Sequence, residues 1–440
     1  MQFRPIQVVF LQIVFNITKE GAEAWRRLAI GDITLKCDNP SPPLGPSQLT
    51  LVDRYLAPRN VDDILKLYCV EVVRHMQPMF DSSGPAFSTR LNAFLNPLFF
   101  HITSRAFFGP EFPAETIYPP FMAFDKGFSQ LAAGMPRIFI PKAYAARTEV
   151  LRQLKEYIAA PHTACEAMDR TEQGALDAGL GPDDVAGFFL ATLWPVTANV
   201  GNAIFWTLYL LIKDGPEGLV NLQTEIDSEI AGWKAIHPGS VPFKDAATLF
   251  DFFKASKFPY FDSLIKEIMR FTSSAYSMRR IEEDGTTLIG DKGQVITFSE
   301  GDIVVCVSRS THLDEEVYQD AHKFIPERFM ENVKHSKNGK DLPNFFMPFG
   351  GGTSVVRDLL LYRNSVRADM ESIDHPKCHG RHFAAAEIQI ATIWLLSHFH
   401  IRLDPPTQPH VRYDVSKVGF GIIRNKDDPL VLLTKKSVKV

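Results

Sequence analysis

Residues 345–400 carry the stretch that decides the fold: FFMPFGGGTS (345–354), VVRDLLLYRNSVRADMESIDHP (355–376) and KCHGRHFAAAEIQIATIWLLSHFH (377–400). The three glycines at 350–352 let the backbone fold tightly against a flat object. Cys378 precedes an apolar helical run, and the N–H groups and dipole at a helix N-terminus stabilise a thiolate. The outer two parts therefore predict a site for a soft metal, interrupted by the middle part.

Without residues 355–376 the line reads FMPFGGGTSKCHGRHFAAAEI, and in this form it resembles the haem-binding loop of the cytochrome P450 superfamily. That loop has a Phe seven residues before the ligand Cys, a Gly four before it and a Gly two after it. These places are held by Phe349, Gly352, Cys378 and Gly380. The resemblance implies that Cys378 is the axial thiolate of a haem iron, a ligand that favours O–O bond cleavage.

Two other interpretations stay open from these residues alone. Most glycine-rich turns are only turns, and most single cysteines in intracellular proteins are small buried apolar side chains. A zinc site is the second, because ligand types that zinc prefers cluster here: His375, Cys378, His379 and His382. Cys378 and His382 share a helix face, whereas His375 lies outside the helix before Pro376, so a closed four-ligand site is strained.

Residues 355–376 are predicted to be an insertion. Lengthening the loop from about 6 to about 28 residues adds only about 1.4 kcal/mol of closure entropy, which a fold tolerates. Local geometry is the stronger objection, because Pro376 replaces Ser354 two residues before the ligand, removes a backbone N–H and pushes His375 toward an extended conformation. The segment has no turn chemistry of its own and fills whole codons, which favours a retained short intron.

Composition sets the outer limits. The chain has 440 residues, of which 45% are hydrophobic, so it can build a sizeable core. Its net charge of −4 and lack of a long basic run are untypical of nucleic-acid binding. Its five cysteines form no paired framework, which favours a reducing compartment.

Residues 188–212 contain no charged side chain and are long enough to cross a membrane. The polar and helix-breaking residues at mid-span favour a kinked helix buried beside a polar reaction centre: Pro195, Thr197, Asn199, Gly201 and Asn202. The segment is similar to the central helix that crosses the haem in the branch with sterol 7α- and 12α-hydroxylases and prostacyclin synthase. There an Asn replaces the usual alcohol, so the resemblance makes Asn199 the distal catalytic group; an amide orients an oxygen ligand but does not ionise.

Two further motifs follow in the family's order. Glu267 and Arg270 in FDSLIKEIMRF (261–271) match its Glu-x-x-Arg, and Arg328 in DAHKFIPERF (320–329) matches the loop Arg that completes a buried network. On residues alone, Glu267 and Arg270 at i and i+3 would be an ordinary surface ion pair. The resemblance implies a scaffold in the interior instead.

The remaining motifs concern the rim of the site. Residues 287–289 and 294–297 flank a hairpin signal, and residues 303–307 are expected to pair beside them in a small sheet. The resemblance places Arg279 or, preferred here, Arg280 against a haem propionate. The stretch 418–429 resembles the family's terminal hairpin, whose tip, Phe420 and Ile422, would cap the substrate pocket.

These observations predict a mainly α cytochrome P450 fold over residues 1–440, one large helical domain with a small β-rich lobe. By the resemblance the chain binds haem b and is a monooxygenase that hydroxylates an apolar sterol-like, lipid or secondary-metabolite substrate with O₂. Electrons would come from NADPH through NADPH-cytochrome P450 reductase. The alternatives are a haem-thiolate isomerase of the prostacyclin synthase type and a haem-free structural helical protein.

The N-terminal region departs from the family's pattern. Some tens of residues, including a membrane anchor and the first β and helical elements, are expected to be missing before Gly109, and no Trp-x-x-x-Arg helix is found. The apolar run 6–15 is too short to span a bilayer. By resemblance the protein belongs on the cytosolic face of the endoplasmic reticulum membrane, and as written, without an anchor, in the cytoplasm.

Overall fold

The structure, a computed structural model, describes residues 4–25, 56, 60–281, 284–289, 293–331, 333–342, 345–349, 378 and 380–436. Helices make up most of it: α1 (Arg4–Phe15), α2 (Lys19–Trp25), α3 (Asp62–Ser82), α4 (Leu91–Phe108), α5 (Ala114–Ala132), α6 (Pro141–Ala159), α7 (Glu166–Asp177), α8 (Pro182–Thr197), α9 (Val200–Lys213), α10 (Pro216–Ile236), α11 (Ala246–Ala255), α12 (Pro259–Thr272), α13 (Ser308–His312) and α14 (Arg381–His398). Proline begins α6, α8, α10 and α12, a position where its missing N–H has no helical partner to lose. The prediction of a mainly helical fold is confirmed.

The apolar faces of the helices meet in one large core. Helix α4 packs against α3, α8 and α9, and α14 packs against α3 and α9. Trp206 of α9 and Trp394 of α14 are fully buried. A smaller cluster of Val317, Tyr318 and Ala321 supports the loop that leads to Phe345. Helices α9 and α14 thus lie at the centre of the molecule.

The kinked helix predicted for residues 188–212 is present as two helices, α8 and α9. Pro195 has no N–H to offer the preceding turn, and α8 ends at Thr197. Side chains then bond the carbonyl oxygens near the break: Thr197 Oγ1 donates to Leu193 O at 2.7 Å, and Asn202 Nδ2 donates to Ala198 O at 3.0 Å. Among the described residues, 182–213 is the stretch apolar and long enough to cross a membrane, and 72% of its most apolar window is buried by the rest of the protein.

The close approach of α9 to α4 depends on a glycine. A Cβ added to Gly201 would lie 2.1 Å from Asn96 Oδ1 and 3.2 Å from Asn96 Cα, so any side chain there would push the two helices apart. Asn199 directly precedes α9 as its N-cap, so this contact also constrains the position of Asn199.

The strands form small separate sheets: β1 (Ala86–Arg90), β2 (Tyr276–Arg280), β3 (Thr286–Ile289), β4 (Val295–Phe298), β5 (Ile303–Val307), β6 (Ser336–Lys337), β7 (Lys340–Asp341), β8 (Phe399–Leu403), β9 (Tyr413–Asp414), β10 (Arg424–Asn425) and β11 (Leu430–Lys435). The predicted β3–β4 hairpin is present. The expectation that residues 303–307 pair beside it is wrong, because β5 pairs with β2 over five residues, from Tyr276↔Val307 to Arg280↔Ile303. Strand β2 begins shortly after α12 ends. Along the chain, the β3–β4 hairpin lies between β2 and β5, which pair with each other.

The C-terminal region forms two different pairings. The terminal hairpin pairs β10 with β9 and therefore begins before residue 418, where the sequence placed its start. Strand β11 instead joins β1 and β8 in an antiparallel three-stranded sheet. The loop between β9 and β10 is the part that reaches the interior.

Candidate active site

Glu267, Arg270 and Arg328 form the predicted buried network. Arg270 donates from Nε to Glu267 Oε2 at 2.7 Å and from Nη2 to Oε1 at 2.8 Å, and both side chains are fully buried. Arg328 Nε lies 3.1 Å from Glu267 Oε2. The backbone N–H of Ile325 also donates to Glu267 Oε1, at 3.0 Å. One carboxylate thus holds two guanidinium groups, and the network binds α12 to the loop that follows α13.

The remaining donors of the two arginines bond backbone carbonyls of the same loop. Arg270 donates to the carbonyls of His312, Ala321 and Lys323, and Arg328 donates to those of Gln319, Asp320 and Lys323. Buried charges are tolerated when they are paired and hydrogen-bonded in this way. The network therefore shapes residues 312–330, which sequence reasoning could not see.

His312 connects this network to the loop that precedes the glycines, because its carbonyl bonds Arg270 and its ring bonds Met347. Its ring is fully buried, and its Nε2 accepts a hydrogen bond from the Met347 N–H at 3.0 Å. Burial, together with the positive charges of Arg270 and Arg309, lowers the pKa of His312 to about 4. The ring is therefore neutral at pH 7, which leaves Nε2 free to accept.

The predicted ligand loop is closed by backbone hydrogen bonds on both sides of Cys378. The Cys378 N–H donates to Phe349 O at 2.9 Å, and the Arg381 N–H donates to Cys378 O at 3.2 Å. Gly380 caps α14, and a Cβ on it would lie 3.9 Å from Cys378 Sγ. Phe349, Cys378 and Gly380 are thus brought together, whereas Gly352 lies outside the described residues.

On balance, the surroundings of the Cys378 sulfur favour the protonated thiol. The side chain is exposed, yet the protein around the sulfur raises the pKa of the thiol, while the Gly380 N–H and the Arg381 charge act to lower it. A single thiolate is a soft donor of the type that haem iron accepts. No group of three or more His, Cys, Asp or Glu able to hold a metal ion occurs in the described parts of the chain. The donor set fits the predicted haem, while His375 and His379 of the zinc alternative lie outside the described residues.

Ser273 connects the ligand loop to the terminal hairpin. Its hydroxyl donates to Pro348 O at 3.1 Å, and its backbone forms an antiparallel bridge with Ile422. The next residue, Ser274, donates its N–H to Gly421 O at 2.7 Å. The turn after α12 therefore bonds two segments at once: the residues that precede the glycines and the hairpin tip predicted to cap the pocket.

Asn199 lies on the other side of the same hairpin. Its Oδ1 accepts the Ile422 N–H at 3.0 Å, and no described residue accepts from its Nδ2. Gly421 permits this contact, because its φ is +82° and a Cβ there would lie 2.1 Å from Asn199 Oδ1. Asn199 is partly exposed and Pro195, one turn earlier, is exposed, although most of their neighbours in α8 and α9 are buried. Protein atoms therefore leave surface uncovered at the helix break, and we call this uncovered surface the opening.

The second predicted cap residue, Phe420, belongs to an aromatic group at this opening. Its ring stands edge-on to Phe128 of α5, with centroids 5.1 Å apart, and to Trp194 of α8, at 6.2 Å. Phe128 and Trp194 stack in parallel at 3.7 Å. These contacts pack Phe128 of α5 and Trp194 of α8 against the tip of the hairpin that Asn199 bonds at Ile422.

Sequence reasoning missed the polar group behind these rings. Asp125 of α5 is buried and pairs with Arg424 of β10, and Trp194 Nε1 donates to it at 3.0 Å. The one available signal was a lone acidic residue within the apolar stretch FMAFDKGF (121–128). Arg280 is not decided by the structure: its backbone pairs with Ile303 in the β2–β5 ribbon, and its side chain is outside the described set.

Comparison with known proteins identifies relatives of the chain. The Cytochrome P450 family profile matches residues 118–354, which is more than half of the chain. Cholesterol 7-alpha-monooxygenase of Cricetulus griseus is 29% identical over 320 residues, which cover 70% of this chain and 57% of that protein. Prostacyclin synthase of Bos taurus is 25% identical over 256 residues, covering 57% of this chain and 45% of that protein.

Solved structures agree at the level of the fold. The structure of retinoic acid bound cyanobacterial CYP120A1 superposes with a TM-score of 0.62 at 20% identity, covering 88% of this chain and 78% of that one. The chain spans only about half to three fifths of the length of these two curated relatives. The family match ends at Ser354, the residue before the predicted insertion.

Proposed function

The chain belongs to the cytochrome P450 family, and from this premise we propose that it is a haem-dependent monooxygenase that hydroxylates an apolar, sterol-like substrate. The observation that carries the proposal is a series of contacts from Cys378 to Asn199. It runs from Cys378 to the Phe349 carbonyl, from the adjoining Pro348 carbonyl to Ser273, and from there through Ile422 to Asn199. When bound, a thiolate-ligated haem activates O₂ so that one oxygen atom enters a C–H bond. NADPH would supply the electrons through NADPH-cytochrome P450 reductase.

Cys378 is the proposed iron ligand. The Phe349 carbonyl fixes its backbone, and the Gly380 N–H near the start of α14 is placed to support negative charge on sulfur. Gly352 and Arg280 keep their proposed roles, as the close-packing glycine of the loop and the partner of a propionate.

Asn199 is the proposed distal group. Its Oδ1 is occupied by the Ile422 N–H, so the amide is held in one orientation and its Nδ2 is left to donate to an oxygen atom in the opening. In the variant lacking residues 355–376, we expect Asn199→Ala to keep the haem content and lower oxygen insertion, with partial recovery in Asn199→Thr. Unchanged turnover in Asn199→Ala would exclude this role.

The test measures haem content and turnover of the full chain and of a variant lacking residues 355–376. Soret absorbance and the reduced, CO-bound difference spectrum report the ligand, and incorporation of ¹⁸O from ¹⁸O₂ into cholesterol reports the reaction. Cys378→Ala should abolish the thiolate signature and the labelled product. Cys306→Ala removes a different exposed cysteine and should change neither. Labelled product formed at the wild-type rate by Cys378→Ala would refute the proposal, and no Soret band in any form would favour the haem-free alternative.

An isomerase is the second candidate, and Asn199 is the observation that favours it. An amide orients an oxygen ligand without delivering a proton from an ionisable side chain, which suits a rearrangement that needs no external electrons. Prostacyclin synthase is among the relatives. NADPH consumption coupled to product separates the two reactions: a monooxygenase requires it and an isomerase turns over without it.

We also propose that the protein works at the cytosolic face of the endoplasmic reticulum membrane. Family resemblance supports this location. Fractionation of cells that express the tagged full-length protein tests it, and recovery in the soluble fraction alone would contradict it.

A further inference from the structure

Three elements meet beside Asn199: α5, α8 and the segment between β9 and β10. The stacked rings of Phe128 and Trp194, with Phe420 across their edge, form an apolar wall there. Trp194 and Phe420 are only partly buried, as are Asn199 and Arg424. Trp194 contacts Phe420 and is linked through Asp125 to Arg424, so these partly covered side chains lie close to the helix break.

Two charged residues adjoin this wall, the buried Asp125 and the partly exposed Arg424. The Asp125 side chain is 2% exposed and that of Arg424 is 23% exposed. Arg424 donates from Nη2 to Asp125 Oδ1 at 2.8 Å and from Nη1 to Oδ2, and Trp194 Nε1 donates to Oδ1. Asp125 is thereby satisfied by three donors. The reaction proposed above uses neither residue.

Arg424 keeps hydrogen-bonding capacity after this pairing. A guanidinium group has five N–H donors in a fixed plane, and the fork to Asp125 uses two. No other described residue accepts from Arg424. Its exposed edge can therefore donate to an oxygen atom of a molecule in the opening.

The net charge of the Asp125–Arg424 pair determines which kind of oxygen atom the free edge of Arg424 can bind. Asp125 and Arg424 together carry no net charge, and the Asp125 carboxylate stays within a few ångströms of anything that the free edge binds. An anionic group would be repelled by that carboxylate, whereas a hydroxyl or ketone oxygen accepts without that penalty.

We propose that Asp125 and Arg424 form a specificity site that binds one neutral oxygen, a hydroxyl or a ketone, of an otherwise apolar substrate whose body lies against Phe128, Trp194 and Phe420. The inference rests on the proposed function, because it takes the opening beside Asn199 as the substrate chamber. It narrows the substrate class from apolar molecules in general to apolar molecules with one neutral polar end.

Equilibrium displacement of tritiated cholesterol from the full-length protein tests the site without depending on turnover. The competitors share one skeleton: cholesterol has a hydroxyl, 5-cholestene has no oxygen, and cholesterol sulfate carries an anion. We expect the wild-type chain to bind cholesterol at least tenfold more tightly than either of the others.

One variant weakens the site and a second removes it, and neither leaves a buried charge unpaired. Arg424→Lys keeps a cation beside Asp125 but loses the planar fork, and the double variant Asp125→Asn/Arg424→Gln replaces the ion pair by two amides. We expect the preference for cholesterol over 5-cholestene to fall several-fold in the first and to within threefold in the second. The control is Arg412→Gln, which breaks the exposed Arg412–Asp427 pair of the same hairpin and should leave the preference unchanged.

The ratio between competitors separates recognition from structural damage, because a loosened fold weakens all three sterols together. A wild-type preference that persists in the double variant, or equal binding of all three sterols to the wild type, would overturn the specificity site while leaving a monooxygenase reaction intact. A preference for cholesterol over the other two sterols, without insertion of ¹⁸O into cholesterol, would uphold the site and refute the proposed function. Failure of tritiated cholesterol to bind at all would refute both.

Discussion

The Glu267 network and the Cys378 loop are connected through His312 and Met347, and they are held in different ways. The two oxygens of Glu267 receive donors from Arg270, Arg328 and the Ile325 N–H, all supplied by the protein. Cys378 is held by two backbone hydrogen bonds, and its side chain is exposed. The carboxylate of the scaffold is fully paired by protein groups, whereas the surroundings of the Cys378 sulfur raise the pKa of its thiol. The first should therefore govern stability, and the second should govern only what the chain binds.

The largest expected effect concerns the ligand loop. The 22 residues 355–376 and Pro376 separate the glycines from Cys378, and thiolate ligation needs both halves to grip the porphyrin together. We expect the full chain to bind haem weakly or not at all, and deletion of residues 355–376 to restore haem loading with a thiolate–CO band. Cys378→Ala in the deletion variant should remove that band again. Equal haem loading through Cys378 with and without the segment would show that it is a tolerated surface loop.

The second prediction breaks the scaffold. Glu267→Gln leaves Arg270 and Arg328 without their carboxylate, and Arg328→Ala removes one of the two cations that Glu267 holds. Breaking such a buried network costs about 3–5 kcal/mol and should abolish soluble protein, and with it haem loading in the variant lacking residues 355–376. Expression yield and urea unfolding measure the loss. Glu149→Gln is the matched control, because Glu149 pairs with Arg152 on the surface, where such a pair contributes at most about 1 kcal/mol. Wild-type yield and stability of Glu267→Gln would remove the distinction drawn between the two regions.

The third prediction concerns pH and His312, which joins the two regions. In the folded chain the His312 ring stays neutral down to about pH 4, whereas in the unfolded chain it takes up a proton below about pH 6.5. Its contribution to stability is thus fully present above pH 6.5 and is lost as pH falls toward 4, by at most about 3 kcal/mol.

Urea unfolding at pH 7.0, 5.5 and 4.5 measures this loss. His312→Gln keeps an acceptor for the Met347 N–H but cannot titrate, so its stability should fall less steeply over this range. The same slope in both proteins would assign the acid sensitivity to other buried groups, such as His398, whose pKa burial also lowers.

The smallest expected effect compares two glycines with the same backbone angle. Gly421 and Gly239 both have φ +82°, but a Cβ on Gly421 would strike Asn199 Oδ1, whereas a Cβ on Gly239 meets nothing within 4 Å. Gly239→Ala should cost about 1 kcal/mol through its backbone alone, and Gly421→Ala about 1–3 kcal/mol more. Thermal unfolding of the two variants compares the costs. Equal shifts in Tm would mean that the Asn199 contact is not held rigidly.

Local patterns predicted the elements that local physics controls. The hairpin of β3 and β4 follows from turn residues and side chains a few positions apart, and it is present. The β5 pairing was wrong because a short apolar strand carries no information about its partner. The break between α8 and α9 was predicted from Pro195 and its polar neighbours, but its place at Thr197 depends on which carbonyls side chains can bond.

The sequence by itself determined the family, the order of the motifs and the identity of Cys378 as the candidate ligand, because these depend on residue type and spacing along the chain. Only the tertiary structure decided that Asn199 holds Ile422, that Ser273 bridges the ligand loop and the terminal hairpin, and that Asp125 meets Arg424 across 299 residues. The physical reason is that a hydrogen bond or an ion pair is defined by distances of about 3 Å in space. No spacing along a chain specifies such a distance until packing has brought the helices together.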